Sequence, residues 1–253
     1  MDTNPTNLNP DPTVGELAGQ DYRKADVFRK FGIDFCCGGR QTLQEACRIA
    51  HVSEGELRSA LDLAEVHGQN AGGNFKQWPT DQLADYIVRR HHGYIRETAP
   101  ILIEYARKVA AHHGPAHPEL VDLELRVRQS LLDLLGHMDR EEKVLFPAVH
   151  RLVETPAHAS ADNLQFIRHA ILQMENEHGI SGEDLEGFRD LSHDYTVPPD
   201  ACNSYRFLYE KLREFDADLQ QHIHLENNIL FPRAISLLDG FDADAGHAFL
   251  RPA

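Results

Sequence analysis

A chain of 253 residues is long enough to bury a real core in one or two domains. With 40 acidic against 25 basic residues the formal charge is −15, a poor match to a phosphate backbone, so nucleic acid is excluded as a partner. No uncharged apolar run approaches the ~20 residues needed to span a bilayer, which excludes a membrane protein.

The first segment, residues 1–12, is rich in Asn, Pro and Asp and is expected to be disordered. It has neither the basic start nor the apolar centre of a signal peptide, so the protein is expected to be cytoplasmic. Residues 13–67 carry short helical patterns and predict a small helical domain. YRKADVFRKFGI and RQTLQEACRIAH come first, then SEGELRSALDLAEVHG, in which Ser53 and Glu56 form a capping box. DFCCGG lies between the first two. Residues 68–79, GQNAGGNFKQWP, mix Gly, Asn and Pro without periodicity and read as a linker. Four long helical patterns follow at about 80–112, 118–154, 160–194 and 200–238, parted by HHGPAHP, ETPAHAS and YTVPPD. Strand signals are missing, and long helices with short connections predict an all-α chain whose 80–238 segment is an antiparallel four-helix bundle. Pro100, Pro147 and Pro232 fall inside these patterns, where each is expected to kink or end its helix. Residues 239–253 read as a flexible tail.

The chain contains 16 histidines, and two of them open an internal echo. HMDREEKVLFP at 137–147 and HIHLENNILFP at 222–232 share His, three residues, Glu, two residues, a β-branched residue and Leu-Phe-Pro. His and Glu at i and i+4 lie on one helix face, about 6 Å apart along the axis. Around His137 that face carries Leu134, Glu141, Val144 and Leu145; around His222 it carries Phe215, Leu219, Leu225, Glu226, Ile229 and Leu230. A carboxylate on a core-facing stripe is costly without a cation, so both pairs point to metal. His224 has Gln220, Gln221, Asn227 and Asn228 as helical neighbours and is expected to be solvated.

If the echo reflects a duplicated helical hairpin, the preceding helices should contribute as well. HHGYI at 91–95 and EHGIS at 177–181 align through His-Gly and place His92 and His178 in corresponding positions. His91 also has apolar neighbours, Ile87 and Tyr94, and only the repeat favours His92 over it. Four histidines and two glutamates from four helices suit two ions that share two bridging carboxylates, with two imidazoles each. Such a set leaves positions open on each ion, and it suits iron, manganese or zinc without choosing among them.

With FCCGG, HMDREEKVLFP, MENEHG and HIHLENNILFPRA on one chain, residues 13–238 resemble the repair-of-iron-centres family. Its bacterial members are di-iron proteins implicated in restoring iron–sulfur clusters damaged by nitric oxide or oxidants. The resemblance implies a hemerythrin-like bundle behind a cysteine-containing domain. It also implies two iron ions held by His92, His137, Glu141, His178, His222 and Glu226, with Glu141, Glu226 and an oxo or hydroxo group as bridges. Oxygen-carrying hemerythrins add a histidine one turn from the one on the third helix. Here those positions are Met174 and Gly182, so reversible oxygen carriage is not expected. Ile95 departs from relatives that carry a polar residue there. Glu175 and Glu177 flank His178, either as partners of an imidazole N–H or as plain solvated charges.

Cys36 and Cys37 lead into Gly38-Gly39, whose freedom at positive φ would let the loop present sulfur at a surface, with Lys30 and Arg40 near in sequence to favour thiolate. The family match favours a functional pair, acting in thiol–disulfide exchange, iron or nitrosyl capture, or docking. Cys47 reads as packing, Cys202 carries no assigned role, and the histidines of the 112–117 loop read as solvated. The leading functional expectation is a stress-response iron donor. The alternatives are a di-iron enzyme that reduces nitric oxide to nitrous oxide, or a sensor module. The partners implied are damaged iron–sulfur proteins and, as small ligands, nitric oxide or oxygen species, with a homodimer possible.

Overall fold

The computed structural model describes residues 12–66, 75–155 and 160–248, and among these the chain is helical with no strand beyond an isolated pairing of Thr13 with Thr42. The expectations for residues 1–11, most of the 68–79 linker, the tip of the ETPAHAS break and residues 249–253 lie outside the described residues. The chain divides into two compact units, Met1–Gln77 and Trp78–Ala253. No described helix is long and apolar enough to cross a membrane.

The first unit holds α1 (Val14–Gln20), α2 (Tyr22–Lys30), α3 (Leu43–Ala50) and α4 (Glu54–Val66). Such short helices need their ends satisfied. Thr13 with Glu16 and Thr42 with Glu45 form full capping boxes, and Asp21 accepts from the Arg23 N–H to start α2. At the expected Ser53 box, the Glu56 N–H reaches the serine hydroxyl at 3.4 Å. Phe28 and Phe35 stack at 6.3 Å in a core shared with Leu43, Leu57 and Leu61. The end of the expected linker is a single 3₁₀ turn, Phe75–Gln77.

The second unit is the four-helix bundle. Its first helix comprises α5 (Thr80–Ile87), a π-helical turn Val88–His92 and α6 (Gly93–His113). The second comprises α7 (Glu119–Arg140), a π turn Glu141–Leu145 and α8 (Phe146–Glu154). The third is α9 (Ala161–Ser192). The fourth is α10 (Asn203–Leu225), a π turn Glu226–Leu230 and α11 (Phe231–Ala248). α6 packs on α7, α7 on α9, α9 on α10 and α10 on α6, closing the bundle.

Of the two outcomes expected at the prolines, a kink or an end, an end occurs at none of them. Pro147 and Pro232 each follow a π turn, whose wider ring relieves the clash between a proline and the carbonyl one turn earlier. Pro100 lies within α6, which runs through it. The extra residue in the turn also shifts register. Val144, expected on the core face, is 43% exposed. Ile229, its counterpart, stays buried because α5 packs on that turn. The fourth helix also continues past Leu238 through Ala248, since each residue added to an existing helix gains a hydrogen bond without the cost of a new nucleus.

α9 ends in a left-handed turn at His193, Asp194 and Tyr195, with φ of 50°, 55° and 56°. Non-glycine residues there cost roughly 1–2 kcal/mol each, so the turn needs anchors. The Tyr195 N–H donates to the Ser192 hydroxyl at 2.9 Å and the Tyr195 hydroxyl to Asp216 at 2.7 Å. Asp216, buried in α10, also accepts from Arg189 and Gln220. Replacing Asp216 with Ala leaves the Arg189 charge unpaired and frees the turn; a loss of about 3–5 kcal/mol is expected in a denaturant titration, and a change below 1 kcal/mol would contradict this account.

At the same end of the bundle, His117 presents Nε2 to Asp200 at 2.9 Å and Nδ1 to Glu119 at 3.1 Å, tying two connections together. The expected solvated loop histidine is thus an ion-paired one. The Asp200 contact, against slight desolvation and with Glu119 assisting, raises the imidazole pKa above 6.5. A raised folded-state value stabilises fully below the unfolded pKa and is lost as pH climbs through the folded one. The melting-temperature gap between metal-free wild type and His117→Gln should therefore be widest below about pH 6.5 and close at higher pH; a gap that widens with pH would refute the clamp.

Candidate metal centre

The two echoed pairs face each other across the bundle, and the two single histidines complete the set. His137 Nε2 lies 3.2 Å from Glu141 Oε1, and His222 Nε2 3.0 Å from Glu226 Oε1. The other oxygen of each carboxylate faces the neighbouring helix. Glu141 Oε2 is 3.4 Å from His92 Nε2, and Glu226 Oε2 is 3.1 Å from His178 Nε2. Two overlapping clusters result, His92–Glu141–His222–Glu226 and His137–Glu141–His178–Glu226, each with donor atoms within 4.8 Å of one another. Both glutamates belong to both clusters. All six residues are at most 3% exposed.

Whether these residues fit a cation can be judged from the hydrogen bonds they fail to make. None of the four oxygens of Glu141 and Glu226 accepts a hydrogen bond, because the nearby imidazole nitrogens are close but misaligned as donors. The ring nitrogens also crowd one another, with Nε2 of His92 and His222 3.3 Å apart and those of His178 and His137 3.1 Å apart. Nitrogen lone pairs and bare carboxylate oxygens aimed at common points are the donor set of a buried cation.

The outer nitrogens show how the rings are aimed. His92 Nδ1 meets Glu142 at 2.8 Å, His178 Nδ1 meets Asn227 at 2.7 Å, and His137 Nδ1 meets Glu177 at 2.7 Å. Each acceptor turns Nε2 inward. Arg140 and Gln173 in turn hold Glu177, and Arg96 holds Glu142. Phe146 stacks on His92 at 5.9 Å and Phe231 on His178 at 5.8 Å. Glu142 and Asn227 stand outside the residues expected from sequence, although the echo marks both, since each directly follows a repeated glutamate. The partner of Glu177 is His137 rather than the adjacent His178. Glu175 is half-buried on α9.

His91, the alternative to His92, falls outside both clusters. It is buried, pairs with Asp218 at 3.1 Å and stacks on His222 at 5.9 Å. His224 is not solvated. Residues 222–226 are buried on every face, His224 is 0% exposed, and its Nδ1 meets the Asn228 amide at 3.2 Å. Helical neighbours that are polar in sequence were a poor guide where α5 covers the adjoining turn.

In the first unit, Asp34 organises the cysteine loop. Its Oδ1 accepts from the N–H groups of Cys36 at 3.0 Å and Cys37 at 2.9 Å, and Oδ2 from Gly38 at 2.8 Å. Gly38 serves close approach rather than positive φ, for a Cβ there would lie 2.8 Å from the Asp34 carbonyl; among the described residues the glycine at positive φ is Gly32. The two sulfurs are 3.9 Å apart, and Cys36 Sγ lies 3.2 Å from Asp34 Oδ1. Contact with Cys37, burial and the Asp34 charge push the Cys36 thiol well above its ordinary pKa, the reverse of the expected thiolate activation. Cys47 is buried as packing.

Burial opposes charge on every group of the centre, and the neighbours decide which groups stay charged. For His137 burial loses to Glu141, Glu226 and Glu177, and its pKa rises to about 9; His92 is raised too, chiefly by Glu141. For His222 burial wins and the pKa falls. Burial and mutual repulsion oppose charge on Glu141, yet the imidazoles hold both Glu141 and Glu226 below the usual carboxylate range. Binding a cation must strip the proton from His137. Metal uptake at pH 7 should therefore release at least one proton per chain, seen as a binding heat that varies with the ionisation enthalpy of the buffer. An identical heat in all buffers would contradict these charges.

Comparison with known proteins agrees with this geometry. Residues 10–65 match the family described as Domain of Unknown function (DUF542), and residues 83–234 match the Hemerythrin HHE cation binding domain. The chain is 38% identical over 224 residues to the Iron-sulfur cluster repair protein YtfE of Musicola paradisiaca (strain Ech703), covering 88% of this chain and 96% of the relative. It is 37% identical over 230 residues to that of Pectobacterium carotovorum subsp. carotovorum (strain PC1), covering 89% and 97%. To that of Yersinia pestis (strain Pestoides F) it is 36% identical over 225 residues, covering 88% and 96%. Similarity of this extent carries through both units, and with a buried His/Glu cluster in the hemerythrin HHE bundle it makes the chain a member of the iron–sulfur cluster repair protein family.

Proposed function

We propose that the chain stores two iron ions in the bundle and donates iron to iron–sulfur clusters damaged by nitrosative or oxidative stress. The observation that carries this reading is the pair of buried carboxylates shared by two histidine pairs, with all four oxygens free of hydrogen bonds. The names of the relatives supply the cluster-repair context. His92 and His222 would hold one ion and His137 and His178 the other, with Glu141 and Glu226 common to both. Two imidazoles and two carboxylate oxygens leave a six-coordinate ion with open positions, so the cargo can be reached by an incoming acceptor. Imidazole and carboxylate ligands bind metal only when deprotonated, so protons reaching His137 and His92 favour release.

Cys36 and Cys37 are proposed to act on the receiving side of the transfer. Two sulfurs 3.9 Å apart offer soft donors to an ion in transit, and Asp34 Oδ1, 3.2 Å from Cys36 Sγ, is placed to take the thiol proton when a cation displaces it. Glu177 is proposed as the residue that positions His137.

The test is anaerobic incubation of the iron-loaded full-length chain with an iron–sulfur enzyme inactivated by nitric oxide. Recovery above that given by an equal dose of free ferrous iron is expected, and Glu226→Ala, which removes a shared carboxylate, should abolish both tight iron loading and recovery. Recovery no better than free iron would overturn the donor reading, and one zinc ion in place of two irons in the freshly purified chain would overturn the centre itself.

A further inference from the structure

The internal repeat pairs positions as well as motifs. Glu142 follows Glu141 and accepts from His92; Asn227 follows Glu226 and accepts from His178. On the same register, the residue before His178 corresponds to the residue before His92. The former is Glu177, which accepts from His137 Nδ1 at 2.7 Å. The latter is His91, and there the symmetry fails. His222 Nδ1 is buried with no hydrogen-bond partner among the described residues.

His91 cannot stand in for the missing carboxylate. Its ring lies 14° from parallel to His222, and an imidazole N–H points along its own ring plane, so the N–H of His222 is not aimed at the stacked ring. His91 Nδ1 is committed to Asp218, and its Nε2 is itself buried without a partner. Tyr86 closes the other side of His91 edge-on at 5.8 Å.

The consequence lies in the tautomer. To coordinate through Nε2, a neutral imidazole must carry its proton on Nδ1. At His92, His137 and His178 that proton has an acceptor in Glu142, Glu177 and Asn227 respectively. At His222 it becomes a buried, unsatisfied donor, which carries a desolvation penalty. Without metal, the proton of His222 is free to sit on Nε2, where it faces the Glu226 carboxylate at 3.0 Å and partly offsets its charge. Loading is thus opposed at His222 and supported at the other three histidines, so that one half holds the single unsupported ligand and the other holds none.

We infer that the two halves of the centre are unequal, and that the ion held by His92 and His222 leaves first, with His91 and Glu177 as the positioning residues that set the difference. Its use in repair rests on the donor reading above, whereas the inequality rests on the hydrogen bonds alone. Loss of an outer partner of a ligating histidine typically weakens binding 10- to 100-fold, and about 10-fold or more is expected here between the two ions.

The test loads the full-length chain anaerobically with ferrous iron and follows its removal by an excess of a coloured ferrous chelator. Two phases of equal amplitude are expected, their rates about 10-fold or more apart. Glu177→Leu should accelerate the slow phase, Glu177→Gln, whose amide oxygen can still accept from His137, should largely restore it, and His91→Glu should slow the fast phase. A single phase in wild type, acceleration of only the fast phase by Glu177→Leu, or a fast phase unmoved in a folded His91→Glu would each overturn the inference. If His91→Glu does not fold, as judged by circular dichroism, the Glu177 pair decides. Two-phase release without cluster recovery would refute donation and leave the inequality standing; recovery with single-phase release would do the reverse.

Discussion

Two carboxylates with no hydrogen-bond donors, buried at zero exposure in the middle of a bundle, set the terms for the rest of this structure. Each such ion costs several kcal/mol unless it is compensated. The chain compensates by surrounding Glu141 and Glu226 with four imidazoles drawn from all four helices. In the metal-free protein the compensation is partial: the carboxylates raise the pKa of His137 to about 9 and raise that of His92, while burial lowers that of His222. A divalent ion does the same work more completely, so metal binding and bundle stability are linked.

The repeated motif is a set of positions with separate physical duties. The histidine and the glutamate four residues on converge because they share a helix face. The next residue, Glu142 or Asn227, reaches the lone histidine of a neighbouring helix and turns its ring inward. The phenylalanine of Leu-Phe-Pro is the plate on which that same histidine rests. The proline follows a π turn, and the turn begins at the glutamate, so the backbone widens where the carboxylate must reach two sites. Each motif thus builds its own helix and completes a neighbour's, which is why both copies are needed.

Most of this could be read in the sequence because it is periodic. Four long amphipathic stretches gave the bundle, and the 85-residue echo from His137 to His222 grouped the six residues whose donor atoms converge. The failures occur where local periodicity is not what decides the outcome. Val144 was placed by α-helical spacing, and a π turn moved it to the surface. The polar neighbours of His224 point to solvent, yet it is buried in α10, which packs on α6, α9 and the π turn Val88–His92. Lys30 and Arg40 stood near Cys36 along the chain, yet the charge the thiol meets is the Asp34 carboxylate. Glu177 sits beside His178 in sequence, but adjacent residues on a helix point apart, and its partner lies on the second helix.

Storage and delivery make opposite demands on one site. A bundle whose two halves were identical would hold both ions equally, so any affinity high enough to load the chain would also resist release. A two-fold repeat offers a way out, because one substitution in one copy changes one half alone. Here the position before the lone histidine is Glu in one copy and His in the other. The carboxylate of Glu177, fixed by Arg140 and Gln173, locks the His137 ring from outside. His91 gives His222 only its flat face. On the proposed two-ion reading the shared glutamates would join the halves, so that loss of the ion at His92 and His222 would leave both carboxylates to the one at His137 and His178. Partial release would then be self-limiting: one ion could be given up while the other kept the buried charges of Glu141 and Glu226 compensated and the bundle folded.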